Sequence, residues 1–267
     1  MNRAQTQFEC DTFSVVRFDH PPETPHVDPC EEISQSYSLI FVERGGFGIT
    51  IGREGMRLSA GDLLIMTPGL RQRYTHATDS PDDVCLSLQF ESETGAELLG
   101  RPRKGPRRLP VSNRSRYLHA CVRNLAHSPN IRLAEENILD PIRLLLTDNR
   151  GSEHLFRETQ LHWYATRIDA IRELIESDFA EPHSLGSLAR AAGMSRLHFA
   201  HVFRELMGIS AYACLLRRRL EAARKLLADG ASVTGACFTV GFNNLSHFTR
   251  SFRRRFGAAP SRLRLCS

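Results

Sequence analysis

The chain has 267 residues, room for one large domain or two of ~150 residues, and its 41% hydrophobic and 24% charged residues exclude disordered, collagenous and coiled-coil chains. The net charge of +5 is unevenly spread: residues 165–267 hold 16 Lys+Arg against 8 Asp+Glu, leaving 19 against 22 for residues 1–164 out of totals of 35 and 30. A basic tail behind a slightly acidic front half points to a polyanionic partner at one end and a different task at the other.

The apolar runs Leu39–Val42 and Leu144–Leu146 fall far short of the ~18 residues of a membrane helix. Met1–Cys10 has Arg3 and Glu9 among Gln and Thr and no apolar signal core, so no membrane partner and a cytoplasmic location are expected. The seven cysteines, Cys10, Cys30, Cys85, Cys121, Cys214, Cys237 and Cys266, are scattered without a CxxC, which suits a reduced protein.

In chain order, Tyr37–Glu43, Phe47–Ile51, Leu63–Met66 and Val84–Phe90 read as strands separated by Gly45-Gly46, Gly52–Gly55, Ala60–Asp62 and Thr67–Gly69 turns. Short strands broken by glycines predict an antiparallel barrel or sandwich. Residues 100–114, with three prolines, two glycines and a basic cluster, read as a linker or surface loop. The period then becomes helical: Leu118, Val122 and Leu125 form one apolar stripe, and Leu133, Ile138, Ile142 and Leu145 a second, with Pro141 either kinking that helix or opening a new one. These two helices are expected to make a homodimer contact. From Leu161 onward nearly everything reads as helix.

The tail repeats itself. His198-Phe199, Phe203-Arg204 and Gly208 recur 49 residues later as His247-Phe248, Phe252-Arg253 and Gly257, and the turn glycines Gly193 and Gly241 lie 48 apart. In the first copy Ser184 caps a helix from Leu185 to Ala192, Gly193 turns the chain and Ser195 caps the next helix; the second copy runs through Ser232–Val240, Gly241 and a helix starting near Asn243 or Asn244. One helix, Ser210–Ala228, joins them, roughly 28 Å long and comparable to the ~34 Å between successive major-groove faces.

At 100° per residue, burying Phe199 and Phe203 turns His201 outward with Leu197, His198 and Arg204 beside it, and burying Phe248 and Phe252 turns Arg250 outward with Ser246, His247, Arg253 and Arg254 beside it. A small, polar, basic face suits the major groove, where Arg bonds guanine and hydroxyls or imidazoles reach phosphates and base edges. The expected DNA-facing set is Ser195, Arg196, Leu197, His198, Ala200, His201 and Arg204, then Asn243, Asn244, Leu245, Ser246, His247, Thr249, Arg250, Arg253 and Arg254.

These motifs, Leu185–Ser195, Arg219–Arg224 and above all Val240–Arg250 with Phe252–Gly257 and Pro260-Ser261, resemble the DNA-binding domain of AraC-family transcription regulators. The resemblance implies a bacterial, dimeric factor, an activator, with two helix-turn-helix units and RNA polymerase as a further partner. Gly235, followed by Ala236-Cys237-Phe238, departs from the family pattern and predicts a weaker helix; Leu197 and Ala200 replace long polar readers and suit thymine methyls. Glu43–Phe47 and Leu58–Gly69 resemble the family's cupin-type regulatory barrel. The expected architecture is therefore multidomain α+β: a cupin-like antiparallel β-barrel for effector binding (1–100), a basic linker with dimerisation helices (101–160), and an all-α DNA-binding domain with two helix-turn-helix units (161–267).

The barrel has Glu43 and His76 but no HxH pair, so no metal centre and no cofactor are expected. Tyr37, Phe41, Tyr74 and His76 are the candidates to line a pocket for an unidentified small-molecule effector, since rings with polar tips suit such walls. No GxSxG, Walker loop or HExxH occurs, so no catalytic residue is assigned and the chain is not expected to be an enzyme. Two alternatives are a DNA-repair methyltransferase-like enzyme, which needs clustered cysteines, and a thiol- or redox-responsive regulator, which needs an exposed, acidic thiol.

Overall fold

The computed structural model describes residues 3–20, 26–27, 30–76, 82–100, 105, 107–125, 131–147, 152 and 154–263, without the side chains of residues 3, 26, 27, 131–137 and 263. Residues 101–104 and 106, the side chain of Leu133 and Cys266 lie outside the described residues, and the rest of the stretch 100–114 is not all loop: Arg107–Leu109 pairs as a strand with residues 63–65, and a helix begins at Asn113. The chain divides into two units, 1–161 and 162–267.

The first unit contains β1 (Arg3–Glu9), β2 (Phe13–Asp19), β3 (His26–Val27), β4 (Glu32–Ile33), β5 (Tyr37–Arg44), β6 (Gly46–Ile51), β7 (Glu54–Ser59), β8 (Leu63–Met66), β9 (Arg71–His76), β10 (Val84–Phe90), α1 (Ser92–Leu99), β11 (Arg107–Leu109), α2 (Asn113–Asn124) and α3 (Ile131–Thr147). Six strands pair in the order β1-β2-β10-β5-β8-β11, and a second sheet runs β3-β9-β6-β7 with β4 also on β9; the pairings are antiparallel. The expected barrel is thus built as two antiparallel sheets, and among the described residues their ladders do not join into one closed cylinder.

Alternation assigns chemistry to each side of the six-stranded sheet. Tyr37, Leu39, Phe41 and Glu43 of β5 point one way and meet helices: a Cβ added to Gly95 of α1 would fall 2.4 Å from the Tyr37 Cβ, and the Phe41 ring stacks on His119 of α2 at 5.0 Å. Val42 points the other way and packs with Leu64, Met66 and Cys85 of its own sheet against Phe47, Ile49 and Leu58 of the other. With both faces covered, residues 37–39 and 41–42 are all buried.

Ser112 caps α2, its hydroxyl accepting from the Ser115 N–H while the Ser115 hydroxyl accepts from the Ser112 N–H. Pro141 lies inside α3 and does not divide it. The two apolar stripes expected to join a second chain are consumed within this one: α2 packs on α3, and Leu118, Val122, Leu125, Ile138, Ile142 and Leu145 are all at most 4% exposed. The helices cover their own sheet because its outer face is apolar, with Leu39, Phe41, Leu63, Ile65, Leu86 and Leu88 in register across three strands.

The second unit is helical. α4 (Glu158–Asp178) starts just before it, followed by α5 (Leu185–Ala191), α6 (Arg196–Met207), α7 (Ala211–Ala228), α8 (Val233–Thr239), α9 (Leu245–Phe256) and α10 (Pro260–Leu263). No single helix among the described residues is long and apolar enough to cross a membrane. The repeat is legible in the packing: Phe199–Phe203 and Phe248–Phe252 ring centroids lie 5.5 and 5.6 Å apart, tilted by 59° and 55°, and all four rings are fully buried. Burial of such side chains contributes about 1.5–3 kcal/mol each.

Candidate functional site

In the helical unit, each turn is set by caps and a left-handed glycine. Ser184 and Ser187 form a reciprocal capping box on α5, Gly193 takes φ +67°, and the Ser195 hydroxyl accepts from the His198 N–H to start α6. In the second copy Ser232 caps α8, Gly241 takes φ +83°, and Asn244 Oδ1 accepts from the His247 N–H at 2.9 Å to start α9. Gly208 and Gly257 end the two reading helices in the left-handed conformation. Gly235 sits where Ser187 stands in the first copy; α8 forms but has only the one-way bond from the Gly235 N–H to Ser232.

On α6, Phe199, Val202, Phe203 and Leu206 are buried, and Ser195, Arg196, Leu197, His198, His201 and Arg204 are exposed, with Ala200 half-buried. On α9, Phe248, Ser251 and Phe252 are buried, Asn243, Asn244, Leu245, Ser246, Arg250, Arg253 and Arg254 are exposed, and His247 and Thr249 are half-buried. Buried Ser251 rotates the face slightly from the sequence reading. Ser246, Arg250 and Arg253 now form the outermost line at i, i+4 and i+7, matched by Leu197, His201 and Arg204, while Arg254 lies on the flank. His198 packs edge-on against Tyr164 at 5.4 Å and His247 against Phe242 at 5.6 Å, so both imidazoles are braced at their helix starts.

Part of the basic excess of the tail holds the fold together. Arg218 pairs with Glu176 and lies 4.4 Å over the Phe179 ring, and half-buried Arg219 donates to the Phe179 and Glu181 carbonyls at 2.7 Å each. Burial lowers the Arg219 pKa from its ordinary value. Buried Arg172 pairs with Asp169. Glu221 binds Arg224 and Arg255, leaving Arg250 outside that ion pair.

In the first unit a cavity of about 360 Å³ lies between the sheets. Tyr74 and His76 line it; Tyr37 and Phe41 do not, because they occupy the helix-facing positions of β5, whereas Ser38 and Ile40 face the cavity. Ser34, Ser36, Ser87, Gln72, Gln89, Glu32 and Asp83 give much of the wall a polar character that the sequence reading missed.

Glu43 serves the opposite face of β5. His119 Nε2 lies 3.0 Å from its Oε1, Arg17 Nη1 2.6 Å from its Oε2, and Arg123 Nε 3.5 Å from Oε1. The His119 hydrogen bond, then the charges of His119, Arg123 and Arg17, hold the carboxyl below its ordinary value against the opposing effect of burial. A depressed carboxyl stabilises the fold above its unfolded pKa and loses that contribution as pH falls through the folded value. The stability advantage of the native protein over Glu43→Gln is expected to shrink as pH drops below the usual carboxylate range; urea midpoints that stay equally separated from neutral to acidic pH would remove this role.

Burial raises the thiol pKa of Cys85 and Cys237 and pushes Cys214 up to about 11, the reverse of what a reactive thiol needs. Among the described residues the only group of three or more His, Cys, Asp or Glu side chains with metal-ligand proximity is His20, His76 and Asp83.

Comparison with known proteins agrees with the helical geometry. Residues 188–265 match a family model described as a helix-turn-helix domain. The virulence regulon transcriptional activator VirF of Yersinia enterocolitica is 30% identical over 246 residues, covering 87% of this chain and 83% of that protein. The thermoregulatory protein LcrF of Yersinia pestis is 30% identical over 174 residues, or 62% of this chain, which thus spans 63% of that protein. Among solved structures, a probable AraC family transcriptional regulator from Rhodopseudomonas palustris is 34% identical, covers 38% of this chain and 96% of that one, and superposes with a TM-score of 0.36. With the Yersinia enterocolitica activator 30% identical over most of both chains, this chain belongs to the AraC family of transcription regulators.

Proposed function

We propose that the chain is a sequence-specific double-stranded DNA binder that activates transcription in the cytoplasm, with residues 161–267 reading DNA, residues 1–100 holding a small effector and residues 101–160 connecting them. The observation that carries the reading is the pair of helices α6 and α9, each burying two phenylalanines and exposing the same outward line. The joining helix α7, with 18 residues, is ~27 Å long, close to the groove spacing two readers need. The name of the Yersinia enterocolitica relative supports the activating sign. RNA polymerase is the partner such activation requires.

The polar lining of the cavity suits a ligand with hydroxyl or amine groups. Homodimerisation then uses surfaces other than the Leu118–Leu125 stripe, which is buried. The test is selection of genomic promoter fragments by the purified full-length chain, followed by gel shifts over a salt series. A small set of fragments retained well above scrambled duplex is expected. Equal retention of every fragment at all salt concentrations would reject sequence-specific reading.

A further inference from the structure

We propose that His20, His76 and Asp83 form a binding site for a divalent first-row transition metal such as zinc, set in the wall of the cavity between the two sheets. One donor atom from each residue lies within 4.8 Å of the others. His76 Nδ1 is 3.0 Å from Asp83 Oδ1, and the His20 and His76 rings stack at 3.8 Å, tilted by only 8°. Their side chains are secluded: His76 is 13% exposed and Asp83 10%. Donors on one zinc ion at ~2.1 Å lie at most ~4.2 Å apart, and because the in-plane lone pairs of the stacked rings run parallel, closing the set requires the His20 and His76 rings to rotate out of their stack. Two imidazoles and one carboxylate suit zinc, iron, nickel or copper rather than magnesium or calcium, which take all-oxygen shells.

The backbone around the site is built to bring these residues together. His20 follows β2 and Asp83 precedes β10, and these strands pair with Asp19 opposite Val84. The His20 N–H donates to the Asp83 carbonyl at 3.0 Å. Gly45, at φ +66°, lets the chain pass so close that a Cβ there would lie 2.9 Å from Asp83 Cα. Asp82, adjacent, holds φ 65°, a left-handed conformation rare outside glycine. His76 ends β9 in the other sheet, so a bound ion ties the two sheets at one end of the cavity. His76 and Asp83 also line that cavity, which leaves a coordination position of the ion open toward a ligand oxygen, nitrogen or water. The three residues belong to the first unit and the reading helices to the second, and the test uses no DNA and no effector.

The experiment titrates chelator-stripped full-length protein with Zn2+ against a chromophoric chelator, and with Co2+ followed by its visible d–d absorption. One equivalent per chain is expected, with a Co2+ spectrum showing nitrogen and oxygen ligation in a low-symmetry site. His76→Ala, His20→Gln and Asp83→Asn should each weaken binding by at least about 100-fold, since losing even an outer-shell partner costs 10–100-fold. Asp83→Asn keeps the shape and a hydrogen bond to His76, so it decides the matter if circular dichroism shows that His76→Ala is unfolded. Cys30→Ser, which removes the exposed thiol, should leave binding unchanged. No saturable binding by the native chain, or one-equivalent binding that survives Asp83→Asn and His20→Gln, would overturn the site.

Discussion

Gly241→Ala is expected to unfold the second helix-turn-helix copy far more readily than Gly193→Ala unfolds the first, although both glycines hold the same turn. Each has a positive φ, +83° and +67°, where an L-residue costs roughly 1–2 kcal/mol. At Gly193 that is nearly the whole cost, because the nearest atom to an added Cβ is Arg167 Nε at 3.8 Å. At Gly241 the Cβ would lie 2.2 Å from the Ala180 carbonyl oxygen and 2.9 Å from its carbon, both backbone atoms that must shift. Overpacking of this kind adds about 1–3 kcal/mol, so Gly241→Ala should lose ~2–5 kcal/mol. The single tryptophan, Trp163, lies in α4 with Arg167 stacked 3.6 Å over its ring, and makes urea unfolding of the helical unit visible by fluorescence. Equal shifts of the midpoint for the two variants would show that the close approach to Ala180 is relieved at no cost.

The same contrast explains which features were legible in the sequence. The repeat carried its own register: phenylalanines four apart, a turn glycine before and a stop glycine after define which face is inward, and burial follows that pattern on α6 and α9. Caps were readable to within one residue: Ser195 stands where a side-chain oxygen meets a free helix N–H, and of Asn243 and Asn244 it is Asn244 that does so. In β5 the pattern failed. Residues 37–39 and 41–42 are all buried because helices cover one face and the second sheet the other, so nothing in the alternation distinguishes cavity from helix. Only Gly95 and His119, 58 and 78 residues beyond Tyr37 and Phe41, decide it.

Charge was legible as a total and not as a distribution of roles. Arg172, Arg218 and Arg219 belong to the same basic tail as Arg250 and Arg254, yet acidic partners or backbone carbonyls of the helical unit hold them. Strand β1 escaped notice because Arg3–Glu9 is polar and lies at a sheet edge. The grouping of His20, His76 and Asp83 was invisible for a topological reason: the three stand in different strands or strand ends, and pairing of β2 with β10 and the facing of β9 bring them together.

Arg250→Ala and Arg254→Ala should separate base reading from phosphate binding within one helix. Arg250 lies opposite buried Phe248 and Phe252 and in the first half of α9, the part of a recognition helix that meets base edges. Glu221, the acidic side chain that would otherwise compete for it, is held by Arg224 and Arg255. Its loss should cost roughly 1–3 kcal/mol on the true operator, up to about 150-fold in Kd, and relax preference at one or two base pairs. Arg254 lies on the flank a turn later, nearer the groove wall, and is exposed. Its loss should weaken specific and scrambled duplexes alike and lower the salt slope by about one, because one fewer phosphate is neutralised. The decisive data are isotherms for both variants on operator and scrambled duplex from low to high salt. An Arg250→Ala loss of equal size on both duplexes, with a reduced slope, would move Arg250 to the phosphate backbone and leave Ser246 and Arg253 as the remaining base-facing side chains of the outer line.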